Sequence, residues 1–519
     1  MPITTSRPHR PRPIAAALAA AVAVAVAGCG SSSGGADTDP ASVVPAGAVL
    51  YVEAVVRPEG DERTNAESVL RKVLDTTDPR GKIVELLDRA GKEKGIVFAR
   101  DVDPWLGDRV GVAVTSLKAP NGNTDVVLVA ASTDAEAAAK AMERLNDDAE
   151  TRSHREIDYR VDRKDATATA VVGDSVVVAT TERALKTAID ASEESSLADS
   201  DALKKARSSV TDERIGFAYI DAQRFLAEAI DASGRGADIA PFLGSLRDTL
   251  PKTIAAALSS DADAIRVDAV ALGAKPIGPE GASGAEALAG LPADAWLGIG
   301  VGDLGATLDG VLEQLSSSGL AGVGVEALLG QLRQQIGLDV RRDLLAWMGD
   351  AAIFAAGTSR GDLRGALVVK SKDPAATRRA VVALARLAGD SSPLAMDGVD
   401  EGFQVVGADG SPDAWVAAAG DRFVIAVGQR RALEEVIAPD ATLASTPAFT
   451  AAAAKLGGGV RPSFFLDMTS VTALLGDVAG SDPDFAAAKP YLDAFAAIAG
   501  GAKREGDDAT RVRIVVTLR

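Results

Sequence analysis

The sequence predicts an α+β protein built of two tandem copies of one domain, each an antiparallel sheet with helices packed mainly on one face. Three observations predict it. The stretch Asp103-Pro104-Trp105-Leu106-Gly107-Asp108 returns in altered form as Leu345-Ala346-Trp347-Met348-Gly349-Asp350. Each occurrence precedes an apolar run, a hairpin-like connection, a second apolar run and a helical pattern. The apolar runs are joined mostly by short turns, with helices inserted between groups of strands, which fits antiparallel pairing better than a doubly wound parallel sheet.

The repeat keeps its register over the whole length. Pro45-Ala46-Gly47-Ala48 matches Pro292-Ala293-Asp294-Ala295, and Gly173-Asp174 matches Gly420-Asp421, both at an offset of 247. Arg183-Ala184-Leu185 matches Arg431-Ala432-Leu433 at 248, Asp221 matches Asp467 at 246, and Arg266-Val267 matches Arg511-Val512 at 245. Solenoid units run roughly 20–50 residues, so a period this long means two copies of a whole domain.

The 519 residues are enough for two to four domains. Apolar residues make up 47% and charged residues 25%, the balance of a folded globular chain. The formal charge of -18 argues against nucleic acid or an anionic membrane surface as partner, since both need Lys/Arg patches.

The N-terminus reads as an address. Residues 1–28 form an export signal: Arg7, Arg10 and Arg12 without acids, then an apolar run from Ile14 to Ala27 that is short for a membrane span. The run ends in Val26-Ala27-Gly28-Cys29, and Cys29 is the sole cysteine. This resembles the bacterial lipobox, which implies cleavage after Gly28 and a diacylglycerol on the Cys29 sulfur. Two or more acyl chains anchor firmly where one does not. Residues 29–42, rich in Gly and Ser, read as a flexible tether. Gly30 to Gly34 formally matches G-x-S-x-G, but no strand precedes it and no helix follows.

The first copy spans 43–273. Strands are expected at 48–56, 109–115, 125–131, 158–161, 167–172, 175–180, 215–220, 253–259 and 264–272, with Pro120-Asn121-Gly122-Asn123 as a hairpin turn. Helices are expected at 65–74, 82–91, 135–145, 182–192, 202–209 and 222–232 from apolar spacing. Residues 274–290, rich in Pro, Gly, Ser and Ala, read as the linker, and 291–519 as the second copy in the same order.

Catalytic signatures are thin. His9 leaves with the signal, and His154 lies in a charged stretch and reads as a solvated residue. With Cys29 lipidated, neither a Cys/His nucleophile nor a His/Cys zinc site can be assembled. A Ser-Lys pair or a carboxylate pair stays open, with nothing pointing at one. Gly300-Val301-Gly302-Asp303-Leu304-Gly305 matches G-x-G-x-x-G, but the first copy has no glycines there, and no parallel strand ending in an acid follows. It reads as a loosened strand-to-helix turn. Asp101 with Asp103, and Asp397 with Asp400 and Glu401, lack calcium-loop spacing and read as solvated turns. Arg360-Gly361-Asp362 reads as a hairpin turn. Trp105 and Trp347 read as core anchors, and Asp221 and Asp467 as helix caps. No cofactor or metal is assigned.

The repeated features, Val44-Pro45-Ala46-Gly47, the Trp105 stretch and Gly173-Asp174, resemble the bacterial domain-of-unknown-function family numbered thirty-three fifty-two. That family is common in actinobacterial and cyanobacterial exported proteins, and the resemblance implies no catalytic residues. The expectation is therefore a non-enzymatic protein on the outer face of the cell membrane, held there through Cys29. It would serve as a binding or scaffolding module of the envelope, with an envelope protein or lipid as partner. The alternative is a lipid or glycolipid carrier with acyl chains between sheet and helices, an analogy from architecture.

Overall fold

A computed structural model describes residues 38–92, 95–117, 124–145, 148–164, 166–233, 250–274, 283–317, 329–330, 333–334, 337, 339–389, 391–407 and 412–519. The export signal, Cys29, most of the tether and the turn at 120–123 lie outside the described residues. The chain divides into two compact units: 1–236 with 252–262, and 237–251 with 263–519.

The first unit carries strands β1 (Leu50–Val55), β2 (Leu106–Ser116), β3 (Asp125–Ser132), β4 (Glu150–His154), β5 (Ile157–Val161), β6 (Ala168–Val172), β7 (Ser175–Ala179), β8 (Gly216–Asp221) and β9 (Thr253–Asp261). They pair, all antiparallel, in the order β9-β8-β1-β2-β3-β7-β6-β5-β4. Its helices are α1 (Gly60–Val73), α2 (Pro79–Gly91), α3 (Ala135–Leu145), α4 (Glu182–Glu193), α5 (Asp201–Ser209) and α6 (Ala222–Ser233). β4 was not expected. It is polar along its length, so no apolar alternation announces it, and pairing with β5 makes it a strand.

The second unit has β10 (Ala264–Leu272), β11 (Ala295–Val301), β12 (Met348–Ala356), β13 (Arg364–Ser371), β14 (Ser391–Pro393), β15 (Glu401–Val406), β16 (Pro412–Ala419), β17 (Arg422–Val427), β18 (Phe464–Asp467), β19 (Phe495–Arg504) and β20 (Ala509–Leu518). Their order is β10-β20-β19-β18-β11-β12-β13-β17-β16-β15-β14, again antiparallel throughout. From β19 to β14 this is the first unit's order from β9 to β4, each strand ten places later. The helices are α7 (Ala285–Ala289), α8 (Leu304–Ser317), α9 (Pro374–Leu387), α10 (Arg431–Ile437), α11 (Pro447–Leu456), α12 (Met468–Ala479) and α13 (Pro483–Leu492).

Three expectations are corrected. Helices cover both faces of the sheet. Phe423 and Val424, neighbours on β17, point to opposite sides: Phe423 packs with Ala380 and Val381 of α9, and Val424 with Leu433 of α10 and Phe449 of α11. Both parities of the strand are apolar, so both faces need covering. Second, the first unit ends at Ala262 rather than at 273. β10 lies in the second unit against β20, with Ala264 opposite Thr517 and Leu272 opposite Ala509. Its Asp268, only 2% exposed, is held there by ion pairs to Arg511 and to Arg513, the latter at 3.2 Å. Third, the described end of the expected linker is core: it forms α7, and Leu288 is fully buried.

The repeated tryptophans sit as expected. Trp105 and Trp347 are 4% and 2% exposed, each indole N–H donating to the carbonyl four residues earlier, Asp101 at 2.6 Å and Asp343 at 2.9 Å. Asp221 accepts from the Arg224 backbone at 3.0 Å and Asp467 from that of Thr469 at 2.9 Å, capping α6 and α12.

Candidate functional site: a charged cavity in the second unit

The two units differ at β1 and its counterpart β11. The counterparts are fixed by pairing. Pro45 bridges Ser196, and Pro292 bridges Thr442. At that offset of 247, Tyr51 and Glu53 correspond to Gly298 and Gly300. The cross-strand partners agree: Glu53 lies opposite Gly111 and Gly300 opposite Ala352, while Tyr51 lies opposite Ala113 and Gly298 opposite Phe354.

In the first unit this place holds a buried polar cluster. The Tyr51 hydroxyl donates to Glu53 Oε2 at 2.9 Å. Arg207 Nη2 on α5 donates to the same oxygen at 2.6 Å, and its Nη1 to Asp39 Oδ2 at 2.6 Å. Asp39 caps a short 3-10 turn, Pro40–Val43, by accepting from the Ala41 N–H at 3.0 Å. Burial, then the Glu53 carboxylate, pushes the Tyr51 hydroxyl well above its ordinary pKa, so it stays a donor. Burial alone would raise Asp39, but Arg207 outweighs it and holds the carboxyl below its usual range.

In the second unit the glycines make room for α7. A Cβ on Gly298 would meet Leu288 Cδ1 at 2.5 Å, and one on Gly300 would strike the Gly284 carbonyl. Gly305 likewise packs against the Leu345 carbonyl. The G-x-G-x-x-G spacing therefore records backbone approach between elements. Beside α7 opens a cavity of about 260 Å³. Ala287, Leu291, Val368 and Val436 supply its apolar surface, and Glu286, Asp350, Asp421, Lys370 and Arg422 its charges.

β13 and β17 place Lys370 directly opposite Arg422. The counterparts in the first unit are Ala131 and Ser175, also directly opposite and almost fully buried. The matching is secure because Ser132 N–H donates to the Asp174 carbonyl at 2.8 Å just as Ser371 N–H donates to that of Asp421 at 2.7 Å. Like charges facing one another across an antiparallel pair are destabilising. Arg422 is oriented by a bond from Nη1 to the Val436 carbonyl. Asp350 accepts from the Asp303 N–H at 2.8 Å, and Glu286 pairs with Arg461 at 3.3 Å. The side chains of Lys370 and Asp421 have no partner among the described residues.

Sequence reading passed over these residues, although one signal was present: aligning the copies turns an Ala/Ser pair into a Lys/Arg pair. The residues it did weigh go elsewhere. Asp101 accepts from the Val97 N–H at 2.9 Å and pairs with Arg100, and Asp103 pairs with Arg57 at 3.1 Å. Asp400 accepts from the Gly420 N–H at 2.9 Å. No group of three or more metal-ligating side chains occurs among the described residues. His154 Nε2 lies 2.8 Å from Asp190, so it is paired rather than simply solvated. Arg360-Gly361-Asp362 is a 3-10 turn whose Arg360 N–H donates to Asp477 at 2.9 Å. Cys29 lies outside the described residues.

No helix among the described residues is long and apolar enough to cross a membrane. No curated protein matches the sequence. Crystal forms III, I and IV of TP0453 are similar over 46% of this chain and 82%, 79% and 81% of theirs, at 12%, 10% and 13% identity. Their TM-scores are 0.26, 0.24 and 0.26, too low to carry an argument. A family model described as a protein of unknown function, DUF3352, matches residues 14–518. The chain belongs to the DUF3352 family.

Proposed function

We propose that this is a non-enzymatic binding or scaffolding module of the cell envelope. It is anchored at the extracytoplasmic face by a diacylglycerol on Cys29 and built by tandem duplication of one α+β domain. The observation that carries the reading is the cavity beside α7. In the second unit it is lined by charges of both signs, including the facing Lys370 and Arg422, where the first unit has buried Ala131 and Ser175. The address rests on the lipobox-like Val26-Ala27-Gly28-Cys29. Labelled palmitate should enter the wild-type chain and not Cys29→Ala, and membrane pull-downs should lose their partners with the label. Equal labelling and equal partners in both would overturn the reading.

A second reading, a lipid or glycolipid carrier, is favoured by one face of the second unit's sheet. Ile299 and Ile353, directly opposite one another on β11 and β12, are 39% and 48% exposed. Leu308 on α8 and Leu475 on α12 are also exposed. In the first unit Val112, the counterpart of Ile353, is 1% exposed in a cluster that includes Phe225 of α6. An uncovered apolar floor of this kind suits an acyl chain. Native mass spectrometry of the purified protein should then show bound lipid that Ile353→Glu displaces. Lipid-free spectra would remove this reading.

A further inference from the structure

We propose that the cavity beside α7 binds a small zwitterion, a molecule carrying one anionic group and one ammonium a few atoms apart on a short apolar body. The inference rests on the reading of the chain as a binding module and names the class of its ligand.

The argument starts from the facing cations. Lys370 and Arg422 lie directly opposite across β13 and β17, and both line the cavity. Lys370 has no partner among the described residues, so no ion pair with a described acid relieves the repulsion. An anionic group between the two would relieve it with charge-assisted hydrogen bonds, and the carbonyl of Val436 already holds the guanidinium in place. The first unit has Ala131 and Ser175 at these positions, so the fold itself does not require the cations.

A simple anion does not satisfy the rest of the lining. Glu286, Asp350 and Asp421 outnumber the two cations. Asp421 is next in sequence to Arg422 and its side chain is unpaired among the described residues. An ammonium group meets that carboxylate, while the anionic end meets Lys370 and Arg422. Between them, Leu291, Val368 and Val436 offer contact to a small apolar group. A volume of about 260 Å³ has room for a small organic molecule rather than a single ion. An amino acid with an aliphatic side chain and a phosphoethanolamine headgroup share this chemistry.

Calorimetric titration of the purified full chain decides it. The probes are L-leucine, its amine 3-methylbutylamine, its acid 4-methylpentanoate, and glycerophosphoethanolamine. We expect one-to-one binding of L-leucine or of glycerophosphoethanolamine, whichever source the site serves, with the amine and the acid each at least about tenfold weaker. Lys370→Ala, which restores the first unit's residue, and Asp421→Asn should each weaken the bound zwitterion about tenfold or more. Circular dichroism should show both variants folded, and Arg360→Ala, away from the cavity, should bind normally. Absence of binding by both zwitterions at millimolar concentration, or equal binding by folded Lys370→Ala, overturns the assignment. Palmitate labelling at Cys29 is unaffected by either result, so failure here is distinct from failure of the anchored-module reading.

Discussion

The first unit fills with polar, hydrogen-bonded side chains the place that the second fills with a helix. At β1, Tyr51, Glu53, Arg207 and Asp39 form one hydrogen-bonded cluster. At β11, two glycines admit Leu288 of α7, and the counterpart of Arg207 at the Ser200-to-Thr446 offset of 246 is Ala453. None of the three ionisable members of the cluster on β1 and α5 has an ionisable counterpart in the second unit. That is the expected pattern for a buried network, in which a half-satisfied remnant is worse than an apolar core. The volume moves as well: Ala113, opposite Tyr51, corresponds to Phe354, opposite Gly298. The same strand order thus tolerates two cores, and in the second a cavity of about 260 Å³ opens beside α7.

The comparison can be broken most forcefully at Arg207. Arg207→Leu leaves Glu53, 6% exposed, and Tyr51 without their cation and should cost about 3 kcal/mol. Hydrogen exchange should show β1 deprotected and β11 unchanged; equal loss in both would mean the units do not keep separate cores. Next is Gly300→Ala. Its Cβ strikes the Gly284 carbonyl, so overpacking should cost about 2 kcal/mol, with deprotection at β11 alone.

A third test asks what the units share. Asp101 and Asp343 hold matching places before the two tryptophans. Each is lowered to about 2, first by the adjacent Arg100 or Arg342, then by a backbone N–H. A carboxyl depressed in the folded state stabilises fully above its unfolded value near 3.9, and that stability is lost as pH falls toward about 2. Asp101→Asn and Asp343→Asn should therefore lower the urea midpoint at pH 6 and converge on wild type near pH 2. A gap that persists at pH 2 would show that the charge is not what matters. The smallest effect is expected at Lys370→Ala. Removing one of two facing cations should stabilise the second unit by about 0.5 kcal/mol without ligand, seen as a melting point higher by 1–2 °C or so.

Much of the fold was legible because its signals are local. The apolar run at 125–131, the strand at 264–272, the turn at Gly173-Asp174 and the capping aspartates Asp221 and Asp467 all lie where the sequence puts them. The indole anchors could be read because each Trp stands directly before a strand that opens with the same Gly-Asp pair, at 107–108 and 349–350. The cavity could not be read this way. Lys370 and Arg422 stand 52 positions apart in an unremarkable charged background, and nothing local says that they face one another.

The sequence alone determined the repeated pattern and most of the elements, since each depends on spacing between near neighbours or on matches between the two halves. The tertiary structure alone decided that β10 joins β20 across more than two hundred residues, that helices cover both faces, and that α7 is core rather than linker. Those outcomes depend on which surfaces meet once the chain has closed on itself. Strand pairing and burial are settled between residues far apart, where periodicity carries no information.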